Sequence, residues 1–148
     1  MTASDTAELV RRTDEIADKH PHYWRDEAAQ AELRAIWGEG VNANGVFAHA
    51  PEEVLFDRDG YKAAITIGAA RDLFAFGSSF QTPTQGYGGA PSVWEELYQS
   101  HAAARTAAIE FLLKRLPEPI YPHEEGQRGR LDRLRQAVSE LLRQPSLF

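Results

Sequence analysis

Apolar side chains recur along this chain with two different periods, and the change of period divides it. In residues 5–19, Leu9, Val10, Ile16 and Ala17 form a thin stripe at helical spacing on a polar background. Asp5 with Glu8 makes a capping-box pattern at its start, and Pro21 ends it. A second helix is predicted over 25–37, where Ala28, Ala29, Leu33, Ile36 and Trp37 fall near one face. From 38 to 51 the period is lost. Asn44 before Gly45 predicts a tight turn there.

Beyond this loop the period becomes two. Val54, Leu55 and Phe56 are a short apolar run, and Asp59 with Gly60 predicts a hairpin turn. Over 61–69, Ala63, Ile65 and Ile67 alternate against Lys62, Ala64 and Thr66. After a turn at Arg71 and Asp72, residues 73–80 place Phe74, Phe76 and Phe80 on one face, against Ala75, Gly77 and Ser79 on the other. This reads as an antiparallel meander of about three strands with one greasy face. Residues 81–91 hold three glycines and two prolines, which excludes a helix and argues against a regular strand. Ser92, Val93 and Trp94 offer a short further strand.

Helical spacing then returns. Ser100 predicts an N-cap for a helix over 101–116, with Ala104, Ala107, Ala108, Phe111, Leu112 and Leu116 along one side and Pro117 and Pro119 as the stop. The small alanines let that helix lie close on the Phe74, Phe76 and Phe80 face. After a loop at 117–127, a last helix fits 128–143, with Leu131, Leu134, Val138, Leu141 and Leu142 on one face. The expected fold class is α+β: a small antiparallel meander covered by the alanine-rich helix, flanked by N-terminal helices and a C-terminal helix. Residues 1–143 read as a single domain, with a helical part at 1–38, sheet and helix at 52–116, and a helix at 128–143. Residues 144–148 read as a separate peptide.

Composition narrows the setting. At 148 residues the chain can bury a core without staples, and with no cysteine it has neither disulfides nor thiolate chemistry. No stretch reaches the roughly 20 apolar residues of a membrane helix. The start lacks the basic-then-apolar layout of a signal peptide, so a cytoplasmic location is expected. Net charge is −6, and it is concentrated: residues 1–60 carry 13 acidic and 6 basic side chains. Such a surface does not grip DNA phosphates as a whole.

The sharpest candidate is the run Gln144, Pro145, Ser146, Leu147 and Phe148. It resembles the bacterial sliding-clamp-binding peptide, in which glutamine, any residue, a small or acidic residue, leucine and phenylalanine follow one another. The resemblance implies that Gln144, Ser146, Leu147 and Phe148 contact the clamp, the Leu-Phe pair entering an apolar pocket and the glutamine amide held by hydrogen bonds. Pro145 cannot extend the preceding helix and stiffens the peptide toward an extended form, which lowers the ordering cost of binding.

A second resemblance spans 61–116. It rests on Phe74, Phe76 and Phe80 with Gln81 and Pro83, then Gly86, Tyr87, Gly88, Gly89, Pro91 and Trp94, then Ser100 opening an alanine-rich helix that ends at Leu116. The stretch resembles a small strand–strand–helix module found in plasmid and phage partition-type and DNA-methylase-associated proteins. It implies association with mobile-element DNA biology and supplies no catalytic residues.

The other candidates carry less. Gly86, Gly88 and Gly89 lack the lysine of a phosphate-binding loop and the strand-loop-helix order of a dinucleotide site. Gln85, Tyr87 and Trp94 are expected to meet a protein partner through this glycine-rich loop. Arg128, Arg135 and Arg143 fall near one face of the last helix and suit weak or indirect DNA contact, while Arg130 and Arg133 lie elsewhere. His20, His22, His49, His101 and His123 show no metal-ligand spacing, even with Glu124 and Glu125 beside His123. Asp57 and Asp59 open like a calcium loop, but the twelfth position is Gly68 rather than glutamate. Glu52 with Glu53 and Glu95 with Glu96 show no acid/base spacing, and Ser78 and Ser79 lack a nucleophile-elbow frame. No metal and no cofactor is expected. The sequence thus points to a non-enzymatic accessory or adaptor protein of DNA transactions on a plasmid or phage, recruited to the sliding clamp. The alternative is an acidic protein that inhibits a host nuclease or defence system, of anti-CRISPR or antirestriction type. It would need Glu8, Asp14, Glu15, Asp18, Asp26, Glu27 and Glu32 on one surface.

Overall fold

The computed structural model describes residues 3–117 and 125–143. It is α+β. Helices α1 (Ala3–Lys19) and α2 (Glu27–Trp37) come first. Strands β1 (Glu52–Arg58), β2 (Tyr61–Ala70), β3 (Leu73–Gln81) and β4 (Gly86–Gly88) follow. Helices α3 (His101–Arg115) and α4 (Glu125–Leu141) end the series. The strands form one antiparallel sheet in the order β1-β2-β3-β4. No helix among the described residues is long and apolar enough to cross a membrane.

Both hairpin turns adopt left-handed backbone. Asp59 and Gly60 sit at φ 55° and 84°, Arg71 and Asp72 at 55° and 61°. Paired positive φ values match the right-handed strand twist, so these turns set the register of β1 on β2 and of β2 on β3. In that register Ile67 faces Phe76, Ile65 faces Ser78 and Ala63 faces Phe80.

The alternation of β3 is as expected, and α3 covers its aromatic face. Tyr61, Ala63, Ile65, Ile67 and Phe80 pack there with Ala104, Ala108, Ile109 and Leu112 of α3 and with Leu131, Leu134 and Val138 of α4. Ala104 and Ala108 are fully buried, which is what allows the helix to lie close. The bidentate ion pair of Arg105 with Glu53 joins α3 to the edge strand β1, at 2.8 and 3.0 Å.

Four sequence expectations are corrected. The sheet has two covered faces, not one greasy face: Leu73 and Ala75 pack with Leu9, Ile16, Leu33, Ile36 and Trp37 of α1 and α2. Small side chains on that face admit the extra layer. At Gly68 even a Cβ would lie 2.5 Å from the Phe47 side chain. The sheet also has a further strand, β4, inside the glycine-proline stretch. It is an edge strand of three residues, held by Tyr87 stacked on Phe80 at 6.0 Å, so its glycines need only pair. Ser92 makes one isolated bridge to Val46 and is not part of a strand. Finally, α1 begins at Ala3, so Asp5 lies inside its first turn rather than at the N-cap. Capping by aspartate occurs instead at α2, where Asp26 accepts from the amides of Ala28 and Ala29.

Candidate functional site

The path of residues 86–98 creates a cleft beside β3. The free edge of β3 is paired by β4 only at Ser79–Gln81, and again by Tyr98, which exchanges two backbone hydrogen bonds with Phe74 at 2.7 and 2.9 Å. Between these points the chain leaves the edge. It crosses β3 at Gly89, whose amide donates to the Ser78 carbonyl at 3.2 Å and whose carbonyl passes so close to Gly77 that a Cβ there would stand 2.1 Å from it. It then drops to the α1/α2 side, burying Val93, and returns at Tyr98.

The excursion leaves a cleft of about 260 Å³ on the α3 side. Phe76 and Ser78 of β3 form its floor. Tyr87, Tyr98 and Phe111 form its walls, and Glu95 and Glu96 stand at its rim. The rings are mutually packed: Phe76 lies 6.1 Å from Tyr98 and 5.6 Å from Phe111, and Phe111 lies 6.4 Å from Tyr87. The Tyr98 hydroxyl donates to Glu96 at 3.3 Å. Burial pushes the Tyr98 phenol above its ordinary pKa, and the charges of Glu96 and Glu110 push it in the same direction. Glu96 and Glu110 thus place negative charge beside Tyr98, while Arg115 places positive charge beside Tyr87 at the other end.

Ser78 is the anomaly. It is 4% exposed, and its Oγ is the buried side-chain polar atom with no hydrogen-bond partner among the described residues. An unpartnered buried hydroxyl costs about 1–3 kcal/mol. In the sequence, Ser78 and Glu96 showed no catalytic spacing, Phe111 read as part of a helix stripe, and Tyr98 was not singled out. One signal was available: along the apolar face of β3 the order is Phe74, Phe76, Ser78, Phe80, and the serine interrupts an aromatic stripe.

A larger hollow of about 500 Å³ lies at the end of the β3–β4 turn, between Lys62, Gln81, Pro83 and Gln85. Its polar groups satisfy one another. The Thr82 hydroxyl accepts from the amides of Thr84 and Gln85, and Thr82 donates its own amide to the Gln85 carbonyl at 2.8 Å. Among its described lining residues no buried side-chain polar atom lacks a partner, so the smaller cleft is the better candidate.

The expected loop site is divided. Gln85 is part of the turn just described, and Tyr87 belongs to the α3 side. Trp94 belongs to the α1/α2 side, where its ring lies tilted against Tyr23 at 4.4 Å and it donates to the Asn44 carbonyl at 2.8 Å. Arg128 and Arg143 are exposed, while Arg135 is half-buried and 3.4 Å from Asp132. Of the acidic residues in residues 1–60, Glu8 and Glu15 both grip Arg11, and Asp26 caps α2 and contacts His20 at 2.8 Å. All three carboxylates stay at the surface but are partnered. No group of three or more histidine, aspartate or glutamate side chains converges on a metal site among the described residues. His123, Glu124 and residues 144–148 lie outside them. Compared with known proteins, the chain matches no family model, no curated protein and no solved structure.

Proposed function

We propose that the protein is a non-enzymatic adaptor of DNA transactions on a mobile element, acting in the cytoplasm and recruited to the sliding clamp through residues 144–148. The observation that carries this reading is the sequence Gln144, Pro145, Ser146, Leu147 and Phe148 following a helix whose core-facing stripe is already spent. Leu131, Leu134 and Val138 anchor α4 in the core, whereas Leu142 and Arg143 at its end are exposed. Burying Leu147 and Phe148 stabilises a complex by roughly 3–5 kcal/mol before ordering costs. That suits an affinity of about micromolar order and a transient dock. The body then carries a second partner, and any DNA contact through Arg128 and Arg143 is auxiliary.

The test is titration of a purified bacterial sliding clamp with the intact protein and with a Leu147→Ala/Phe148→Ala variant. Saturable micromolar binding that disappears in the variant, with unchanged thermal unfolding, is the expected result. Absent binding, or binding that survives the double substitution, would sink the reading.

A further inference from the structure

The cleft of Phe76, Ser78, Tyr87, Tyr98 and Phe111 is unused by the tail-mediated docking just proposed, and its chemistry is specific. We propose that it is a binding site for the alkylammonium group of a lysine side chain presented by a protein partner.

Three observations converge on that ligand. The first is aromatic: the rings in series offer faces that attract a cation through their quadrupoles. The chain itself uses this property at one end, where the Arg115 guanidinium sits 4.4 Å from the Tyr87 ring and 5.7 Å from that of Phe111. Arg115 is not among the residues that line the cleft, so the rings left for a cation from outside are Phe76 and Tyr98 at the other end. The second is charge. Glu95 and Glu96 stand at the rim and no basic side chain lines the cleft. The third is Ser78, whose buried hydroxyl has an acceptor oxygen and no partner at the floor. Ser78 Oγ is itself closed to solvent, so a compact ammonium with three donors meets a rim carboxylate first and Ser78 Oγ once that side chain turns toward the cleft, which a neutral apolar ligand cannot do. The methylene stem of lysine packs on the rings while the head finds the oxygens.

Size sets the limit. A cleft of about 260 Å³ falls below the roughly 300–1,000 Å³ of sites that enclose drug-sized ligands. It takes one side chain. Its rim of Gly89, Ala90, Glu95 and Glu96 is exposed, so a lysine can enter from a backbone lying across the surface.

The experiment uses the full-length protein and capped peptides. Acetyl-Gly-Gly-Lys-Gly-Gly-amide is titrated against its neutral norleucine counterpart and against n-butylammonium, following backbone amides of Ser78 and Gly89 and the Tyr98 ring by NMR. The lysine peptide is expected to bind with a dissociation constant on the order of millimolar, as befits a small probe, and the norleucine peptide about tenfold more weakly. A Glu95→Gln/Glu96→Gln variant, changed only at exposed positions, is expected to lose the preference for lysine. Ser78→Ala is expected to weaken lysine binding with no loss of thermal stability. Equal binding of lysine and norleucine would overturn the proposal by making the cleft merely apolar. Unchanged binding in the glutamine variant, no binding by the wild-type protein, or acceptance of n-butylammonium with refusal of the peptide would each overturn it as well. None of these readouts involves the clamp or residues 144–148, so this site and the tail-docking reading fail independently.

Discussion

At the scale of single residues, Ser78 is the position where folding and binding compete. Its neighbours on the same face of β3 are aromatic, and its cross-strand partner Ile65 is 1% exposed. Everything around it favours an apolar side chain of similar size. Alanine at this position removes an unpartnered hydroxyl and leaves a gap smaller than a methyl group. Ser78→Ala is therefore expected to raise stability by about 1 kcal/mol, the lower end of the cost of an unmet buried polar group. Chemical denaturation of the two proteins measures it. A destabilised variant would mean that the hydroxyl is satisfied in solution and is not held in reserve. Stability given up at a binding position is a common trade in functional sites. Gly77, next to it, has the opposite character: the Gly89 carbonyl leaves no room for a Cβ, so the glycine fixes where the chain crosses the edge and hence where the cleft opens.

At the scale of elements, α3 is held on the sheet by burial along its length and by the Arg105–Glu53 ion pair near its start. Arg105 holds the Glu53 carboxyl below its ordinary pKa, chiefly by hydrogen bonding and further by its charge, against an opposing burial effect. A carboxylate with a lowered folded-state pKa stabilises the protein above its unfolded value of about 4.3. That stabilisation is lost as pH falls through the lower folded value. Glu53 is 43% exposed, so solvent screening limits the contribution to about 0.5–1 kcal/mol. Glu53→Gln is expected to cost that much at pH 7, and its unfolding curve should merge with that of the wild type in acid. A gap that persists unchanged at low pH would show that packing, not charge, joins α3 to β1. The elements themselves were largely legible. The helical spacing of 25–37 and 101–116 arises from burial of one side, and the alternation of 61–69 and 73–80 from sorting most large side chains to the α3 face and mostly small ones to the other. The strand β4 was not legible, because its glycines pair through backbone alone and Tyr87 is its one packed side chain. The cleft was legible only as a trace, the serine among phenylalanines. Its walls depend on an excursion of residues 89–97 across the edge of β3, and that path is set by contacts distant in sequence: Phe47 to Pro91, Asn44 to Trp94, and Phe74 to Tyr98.

At the scale of the whole molecule, two cores share one sheet. Tyr61, Ile65, Ile67 and Phe80 serve the α3/α4 side, while Leu73 and Ala75, on the same pair of strands, serve the α1/α2 side. Loss of either layer exposes β2 and β3, so the layers should unfold together. The chain provides its own probes. Its three tryptophans, Trp24, Trp37 and Trp94, all belong to the α1/α2 side: Trp37 and Trp94 pack in that core, and Trp24 is edge-on to Tyr23. Tyr61, Tyr87 and Tyr98 belong to the other side. Tryptophan fluorescence thus follows one layer, and far-UV circular dichroism follows both. In urea the two signals are expected to trace one transition with a single midpoint, the signature of a cooperative domain. Leu112→Ala, made on the α3 side where Leu112 is fully buried, should lower stability by roughly 2–5 kcal/mol. It should move the tryptophan midpoint by the same amount as the dichroism midpoint, although no tryptophan packs in the core it damages. Fluorescence that stays in place while dichroism shifts would divide the molecule into two independent layers. The excursion at 89–97, which visits both faces, would then be a hinge between them rather than a fixed wall of the cleft.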